Sequence, residues 1–165
     1  MLTFLVIIGL EKHNRGKTYL LKKIIAALSV ASILATVAPT MSEAATSPQT
    51  KAITAAKTQL GIKYQWGGMS SRGYDCSGLI KYAYAKAGKT LPRTTVEIYK
   101  KGTRVTSLKA GDLMFFAPNK ASRVTHASIY MGSGKMIHSA SSKGVSIAST
   151  SNPYWKPKFV GAKRL

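Results

Sequence analysis

The sequence predicts an α+β domain in which helices precede an antiparallel sheet. Before Gly88 the apolar residues recur with the spacing of amphipathic helices, which bury one face against another layer of structure. After Gly111 they recur at every second position, in short runs separated by proline, glycine, asparagine and serine, as in antiparallel strands. Helices that precede the strands instead of alternating with them favour this fold class over a parallel α/β sheet.

The individual elements follow from these patterns. Helices are expected at residues 51–60 and 76–87, each followed directly by a glycine that can end it. Asp75 stands before the second helix as a candidate N-cap. A shorter helical turn is expected at residues 94–101. Five strands are expected, at residues 113–116, 124–131, 135–140, 145–148 and 159–163.

The N-terminal segment has the composition of an export signal. Two lysines precede an apolar run at residues 24–38, and small residues follow at 42–45. A basic start, an apolar stretch and an A-x-A-like site are the three parts of a secretory signal peptide. The run is shorter than the roughly 20 residues that span a membrane. We therefore expect residues 1–45 to be a signal-peptide region, cleaved after Ala44 or Ala45, with no stable membrane insertion afterwards.

The remaining boundaries are simpler. A polar stretch separates the first apolar residues of the chain from the apolar run of the expected signal peptide. No signal peptide requires such a stretch. We expect translation to begin near Leu20 or Leu21, which makes residues 1–20 an over-long gene prediction. Residues 46–50 are expected to be a short linker, and residues 51–165 one continuous domain without repeats or low-complexity tracts.

The chain carries a large positive charge. Lysine and arginine total 25 against 5 aspartate and glutamate residues, for a net charge of +20, and hydrophobic residues make up 45%, which excludes a disordered chain. From Thr46 onward the acidic residues are Asp75, Glu97 and Asp112, so the charge belongs to the mature domain. Such a surface attracts polyanions. The basic residues form no compact arm, which argues against nucleic acid; a role in solubility is the alternative.

Cys76 is the one cysteine of the sequence. Without a second cysteine it forms no internal disulfide, so its thiol is a buried apolar group, a bridge between two chains or a reactive side chain. Its place in the first turn of the second predicted helix favours the reactive thiol. There, unpaired backbone N–H groups and the positive end of the helix dipole favour a thiolate.

The mature domain contains two histidines, His126 and His138, in strands that flank one turn. Three-residue turns at 131–133 or 132–134 would place them on one face of the hairpin, as direct or diagonal neighbours respectively. A two-residue turn at 132–133 would place them on opposite faces. On one face, the pair could act as a base for a thiol and the group that orients that base.

Two other interpretations of the histidines stay open. They could be structural side chains of a sheet, or they could bind zinc together with the thiol and a carboxylate. The sequence contains no C-x-x-C or H-E-x-x-H spacing to support a zinc site.

Several motifs occur in a fixed order along the domain. They are Y-Q-W-G-G at 64–68, Y-D-C-S-G-L at 74–79, L-P-R-T at 91–94, G-D-L-M-F-F at 111–116, T-H-A at 125–127 and I-H at 137–138. In this order they resemble the NlpC/P60 peptidases, and the resemblance spans roughly residues 51–165. It implies a papain-like NlpC/P60 fold, in which N-terminal helices pack on a central antiparallel sheet.

The resemblance also implies the site. It assigns the catalytic triad to Cys76, His126 and His138. It implies that Tyr64 places its hydroxyl near the thiol to help bind the oxyanion, and that the neighbours of the nucleophile shape the oxyanion and substrate pocket; these are Asp75 and Ser77. No cofactor and no metal are expected. The aromatic residues Trp66, Phe115 and Phe116 are expected in the core, whereas Arg93 either meets a substrate carboxylate or caps a turn.

The function implied by the resemblance is that of a secreted cysteine endopeptidase of the cell wall. Such an enzyme hydrolyses peptidoglycan stem peptides, commonly between D-glutamate and the following diamino acid, through a thioester acyl-enzyme. The expected partners are peptidoglycan and anionic wall polymers, without nucleic acid, and the expected state is a monomer. The alternatives are a non-catalytic basic wall-binding protein and a related papain-like amidase or acyltransferase.

Overall fold

The computed structural model describes residues 47–118 and 123–165. The predicted signal-peptide region and its cleavage site lie outside these described residues. Within them, no helix combines the length and the hydropathy that a membrane crossing needs.

In the described residues three α-helices precede most of the strands: α1 (Pro48–Lys57), α2 (Cys76–Lys86) and α3 (Thr95–Lys100). Helix α1 begins earlier than predicted because the Ser47 hydroxyl accepts the N–H of Thr50, and because proline suits the first helical position. The prediction of a linker is therefore wrong for residues 48–50, which form the first turn of α1. The Asp75 carboxylate caps α2 by accepting the N–H of Gly78, as predicted.

Eight strands form two antiparallel sheets in the described residues. Strands β1 (Met69–Ser70) and β2 (Gly73–Tyr74) pair as a small hairpin between α1 and α2. The main sheet has the order β3-β8-β4-β5-β6-β7. Its members are β3 (Thr103–Val105), β4 (Leu113–Phe116), β5 (His126–Gly132), β6 (Lys135–Ala140), β7 (Gly144–Ser149) and β8 (Phe159–Arg164). The five predicted strands are confirmed, and β1, β2 and β3 are additions.

The core lies between the helices and one face of the main sheet. Helix α2 packs against α1 and against β5 and β6. The alternation of β5 and β6 turns Ala127, Ile129 and Ile137 toward this core, whereas Met136 belongs to a second apolar cluster. The histidines occupy the same alternating positions as Met136, so they lie on the sheet face away from the main core. The predicted α+β fold with helices on an antiparallel sheet is confirmed.

The three aromatic residues expected in the core behave differently. Phe115 and Phe116 are buried, as predicted, on opposite faces of β4. Trp66 is 87% exposed, so its prediction is wrong. It lies in a turn before Gly67, whose φ is 72°, and a residue in a turn is not bound by the alternation that buries strand side chains.

Candidate active site

Cys76 is the first residue of α2 and is 7% exposed. Its Sγ atom lies 3.5 Å from the hydroxyl oxygen of Thr95, in α3, and 3.8 Å from the carbonyl oxygen of Thr125. Because Thr125 directly precedes His126, the thiol lies at the start of β5. The fold therefore brings the cysteine and the first histidine to the same end of the sheet.

The environment of the Cys76 thiol differs from the sequence expectation in one respect. A helix N-terminus favours a thiolate, but burial raises the pKa of this thiol above its ordinary value. The Thr95 hydroxyl and the backbone N–H groups of Ala127 and Ser77 lower the pKa, and the charge of Asp75 raises it. Burial is the largest of these effects, because a buried thiolate loses its hydration. The side chain is therefore a thiol near neutral pH and needs a base to become a nucleophile.

Strands β5 and β6 bring the two histidines into contact. Tyr130 pairs with Met136, the register in which His126 and His138 are diagonal neighbours on one face. Nε2 of His126 lies 2.9 Å from Nδ1 of His138. The prediction that the hairpin places both imidazoles on one face is confirmed.

A β-bulge is responsible for this register. Gly132 pairs with Lys135 across a turn formed by Ser133 and Gly134, whose φ angles are 50° and 67°. If that pairing continued unchanged, the histidines would lie on opposite faces of the hairpin. The register shifts between Tyr130 and Gly132, and the extra residue of the bulge returns both imidazoles to one face.

Both imidazoles are neutral near pH 7. Burial, with a smaller contribution from His138, lowers the pKa of His126 to about 3, and burial lowers the pKa of His138 to about 4. Two neutral rings in contact share one N–H between Nε2 and Nδ1. The tautomer that donates from Nε2 of His126 leaves Nδ1 of the same ring as an acceptor. That is the protonation state required of a base.

Trp155 covers the imidazole of His126, and sequence reasoning did not identify it. The two rings stack with centroids 4.3 Å apart and planes at 18°. The indole also meets the ring of His138 at 5.1 Å in an edge-on arrangement. Trp155 lies in the irregular segment between β7 and β8, where no periodicity or motif connects it to the histidines.

Asp75 and Arg93 form a polar cluster beside Cys76. The Asp75 carboxylate accepts the N–H of Gly78 at 2.6 Å and that of Gly67 at 3.0 Å. The Arg93 guanidinium binds both carboxylate oxygens and donates to the Ser77 hydroxyl at 2.9 Å. Arg93 was expected to meet a substrate carboxylate or to cap a turn. In the structure its partner is instead the carboxylate of Asp75.

The loop at residues 64–68 lies against the start of α2. The carbonyl oxygen of Gly68 accepts the N–H of Asp75 at 3.1 Å, and a methyl group at Gly78 would overlap that carbonyl. Tyr64 is half-buried in the same loop. Burial, together with Cys76 and Asp75 nearby, raises the pKa of its phenol, so the hydroxyl remains a hydrogen-bond donor.

A groove of about 830 Å³ runs beside this loop. Its walls include the cationic side chains of Lys63 and Arg72, together with Gln65 and Met69. Across residues 47–118 and 123–165, the histidine, cysteine and acidic side chains form no group of three or more suited to a metal ion.

Comparison with known proteins places this geometry in a family. Residues 61–164 match the NlpC/P60 family. The probable peptidoglycan endopeptidase LytE of Bacillus subtilis is 40% identical over 114 residues, which cover 69% of this chain and 34% of LytE. The murein DD-endopeptidase MepH of Escherichia coli is 40% identical over 114 residues, which cover 65% of this chain and 42% of MepH.

Solved structures agree with the sequence comparison. An NlpC/P60 family protein from Bacillus cereus superposes with a TM-score of 0.66 at 35% identity, over 70% of this chain and 39% of that protein. The chain thus spans less than half the length of these relatives. Because the match to the family extends from the loop before Cys76 to the last strand, this chain belongs to the NlpC/P60 family.

Proposed function

We propose that this protein is an exported cysteine endopeptidase that hydrolyses peptide bonds in peptidoglycan stem peptides. Cys76 is the nucleophile, His126 the general base and His138 the group that orients the base. The observation that carries the proposal is the 2.9 Å contact between the two imidazoles, beside a thiol that touches the backbone on both sides of His126. The relatives LytE, a probable peptidoglycan endopeptidase, and MepH, a murein DD-endopeptidase, support peptidoglycan as the substrate.

The first step forms a thioester. Nδ1 of His126 takes the proton of the Cys76 thiol as Sγ attacks the carbonyl carbon of the scissile amide. The imidazolium keeps its Nε2–H bond to Nδ1 of His138, so the same hydrogen bond serves both protonation states. His126 then returns the proton to the leaving amine, which departs as the C–N bond breaks.

The second step restores the enzyme. His126 removes a proton from water, the hydroxide attacks the thioester carbon, and the C–S bond breaks to give a carboxylic acid and the Cys76 thiol. Each tetrahedral intermediate carries an oxyanion. Backbone N–H groups at the start of α2 and the Tyr64 hydroxyl are the proposed donors; one such donor contributes about 100-fold or more to the rate in other acyl-transfer enzymes.

The pocket beside the nucleophile is proposed to recognise the stem peptide. Asp75 and Ser77 are engaged with Arg93, so their proposed role is to fix the shape of the oxyanion and substrate pocket. The groove walls near Lys63 and Arg72 suit the carboxylates of a stem peptide. The bond proposed for cleavage joins D-glutamate to the following diamino acid.

The surface charge supports an anionic wall as the partner. Of the acidic side chains in residues 47–118 and 123–165, Asp75 and Asp112 are buried and paired with arginines, and Glu97 is exposed. The lysines therefore face solvent with almost no compensating carboxylates. We propose export to the cell wall, where such a surface is attracted to anionic polymers.

Digestion of defined muropeptides tests which bond is cut. Cross-linked dimers and monomers with a complete stem peptide are incubated with the protein, and the products are identified by mass spectrometry. Cleavage after D-glutamate yields a new amino terminus on the diamino acid and leaves the cross-link intact. Products with an opened cross-link would instead indicate a DD-endopeptidase, the activity in the name of MepH. That result would contradict the proposed cleavage site but not the proposed mechanism. Cys76→Ser is the matched control.

A further inference from the structure

Trp155 is held against the base by contacts that do not involve the core between helices and sheet. The side-chain oxygen of Asn152 accepts the N–H groups of Tyr154 at 2.9 Å and of Trp155 at 3.2 Å. The carbonyl oxygen of Asn152 accepts the Trp155 N–H at 3.1 Å. The indole also meets the ring of Phe116 edge-on, with centroids 5.3 Å apart. The backbone of Trp155 is thus held by hydrogen bonds, and its indole is held by contacts with neighbouring rings.

The stacking geometry has consequences for the base. An imidazole with an indole parallel to it at 4.3 Å cannot turn about its ring torsion without losing that contact. The orientation that directs Nε2 to His138 is thereby kept. An indole face also attracts a cation more strongly than it attracts a neutral ring.

The charged groups around His126 do not stabilise its imidazolium, which leaves this role to the indole of Trp155. His138 is neutral near pH 7, and its proximity lowers the pKa of His126. In the part of the chain that the structure describes, neither histidine forms an ion pair with a carboxylate. The charged neighbours of Trp155 in sequence, Lys156 and Lys158, are cations, which oppose an imidazolium. Cys76 supplies negative charge only after it has lost its proton.

We propose that Trp155 is a positioning residue that holds His126 in its working orientation and stabilises the imidazolium formed when the Cys76 thiol gives up its proton. This inference rests on the proposed function, because it assigns His126 the role of base. It assigns Trp155 no contact with substrate.

Alkylation of Cys76 by iodoacetamide tests the inference without a wall substrate. The rate is measured from pH 5 to pH 10 for the wild-type chain, Trp155→Leu and Trp155→Phe. We expect Trp155→Leu to lower the rate at pH 7 about 3- to 30-fold, the range of a cation–π contact. The difference should shrink toward pH 10, where the Cys76 thiolate forms without a proton on His126. Trp155→Phe keeps an aromatic face and should stay within about threefold of the wild type.

Two controls separate the outcomes. Thermal unfolding must show that the leucine variant is folded; if it is not, Trp155→Met fills the same space without an aromatic face and replaces it. His126→Gln should lower the alkylation rate. A rate that His126→Gln leaves unchanged contradicts the proposed function, and the inference with it. A rate at pH 7 that His126→Gln lowers but Trp155→Leu leaves unchanged contradicts this inference alone, because a merely structural tryptophan alters stability and not the pH dependence of alkylation.

Discussion

Nε2 of His126 and Nδ1 of His138 lie 2.9 Å apart across the β5–β6 hairpin. One proton lies between these atoms when both rings are neutral. With that proton on Nε2, the first ring is a base at Nδ1 and the second ring is an acceptor. Because His138 accepts in both protonation states of His126, it keeps the orientation of that ring when the base takes up a proton, without itself changing charge.

Removing the acceptor at residue 138 should reduce catalysis while leaving the fold intact. We expect His138→Leu to lower kcat about 100-fold, because the base loses both its tautomer preference and its orientation. His138→Asn retains an oxygen close to the position of Nδ1 and should recover part of this loss. Steady-state hydrolysis of a soluble muropeptide measures both variants. Equal kcat values for leucine and asparagine would show that the contact between the rings does not act in catalysis.

Acid should destabilise the protein through its two buried histidines. Their folded pKa values, about 3 for His126 and about 4 for His138, lie below the ordinary value of 6.5. The unfolded chain therefore binds protons first as the pH falls below about 6.5, and the free energy of unfolding declines from there toward pH 4. Urea unfolding at pH 7, 5.5 and 4.5 measures the decline.

A variant without these groups supplies the control for the acid effect. In His126→Gln/His138→Gln the decline between pH 6.5 and 4.5 should be shallower, because the unfolded state no longer gains the two protons. An unchanged decline would mean that other groups cause the acid sensitivity.

A comparison of two arginine–aspartate pairs distinguishes an effect of Arg93 on the Cys76 thiol from an effect on stability alone. Arg93 pairs with Asp75 beside Cys76, and Arg164 in β8 pairs with Asp112 just before β4. Both Arg93→Met and Arg164→Met should lower the melting temperature, because each leaves a buried carboxylate without its cation. Arg93→Met alone should slow alkylation of Cys76, by about tenfold, since the unbalanced charge of Asp75 raises the thiol pKa further. Equal alkylation rates in the two variants would contradict this assignment.

Gly78 is required by close packing and not by helix geometry. Alanine in a helix is ordinarily more stable than glycine by about 1 kcal/mol, but a methyl group here would overlap the carbonyl oxygen of Gly68. Gly78→Ala should therefore destabilise the protein by about 1–3 kcal/mol and displace the loop at residues 64–68. In Gly161→Ala the new methyl would lie 3.8 Å from the Tyr99 hydroxyl, so chemical unfolding should be nearly unchanged. A Gly78→Ala protein as stable as the wild type would refute the overlap.

Periodicity predicted most of the sheet but could not choose its register. Alternation located β5 and β6. It did not decide whether His126 and His138 lie on the same face of the hairpin or on opposite faces. The choice depends on the bulge between Tyr130 and Gly132, whose single extra residue leaves no mark in the hydrophobic pattern. The short strands β1, β2 and β3 were missed for a related reason, because two or three residues are too few to show a period of two.

Side chains in irregular segments were beyond prediction from the sequence. The positions of Trp66 and Trp155 depend on turns, whose residues follow no repeat that relates them to the sheet. The exposure of Trp66 and the stacking of Trp155 on His126 follow from tertiary structure. The same holds for Arg93, whose pairing with Asp75 joins residues that no helix or strand period connects.

The release of stem-peptide fragments from purified peptidoglycan, compared between the wild-type chain and Cys76→Ala, tests the central claim most directly. The two proteins are matched by thermal unfolding, and new fragments are quantified by mass spectrometry over time. We expect release by the wild type and a rate at least about 1,000-fold lower for Cys76→Ala, as for loss of the nucleophile in other acyl-transfer enzymes. Release at the wild-type rate by a folded Cys76→Ala protein would contradict the account.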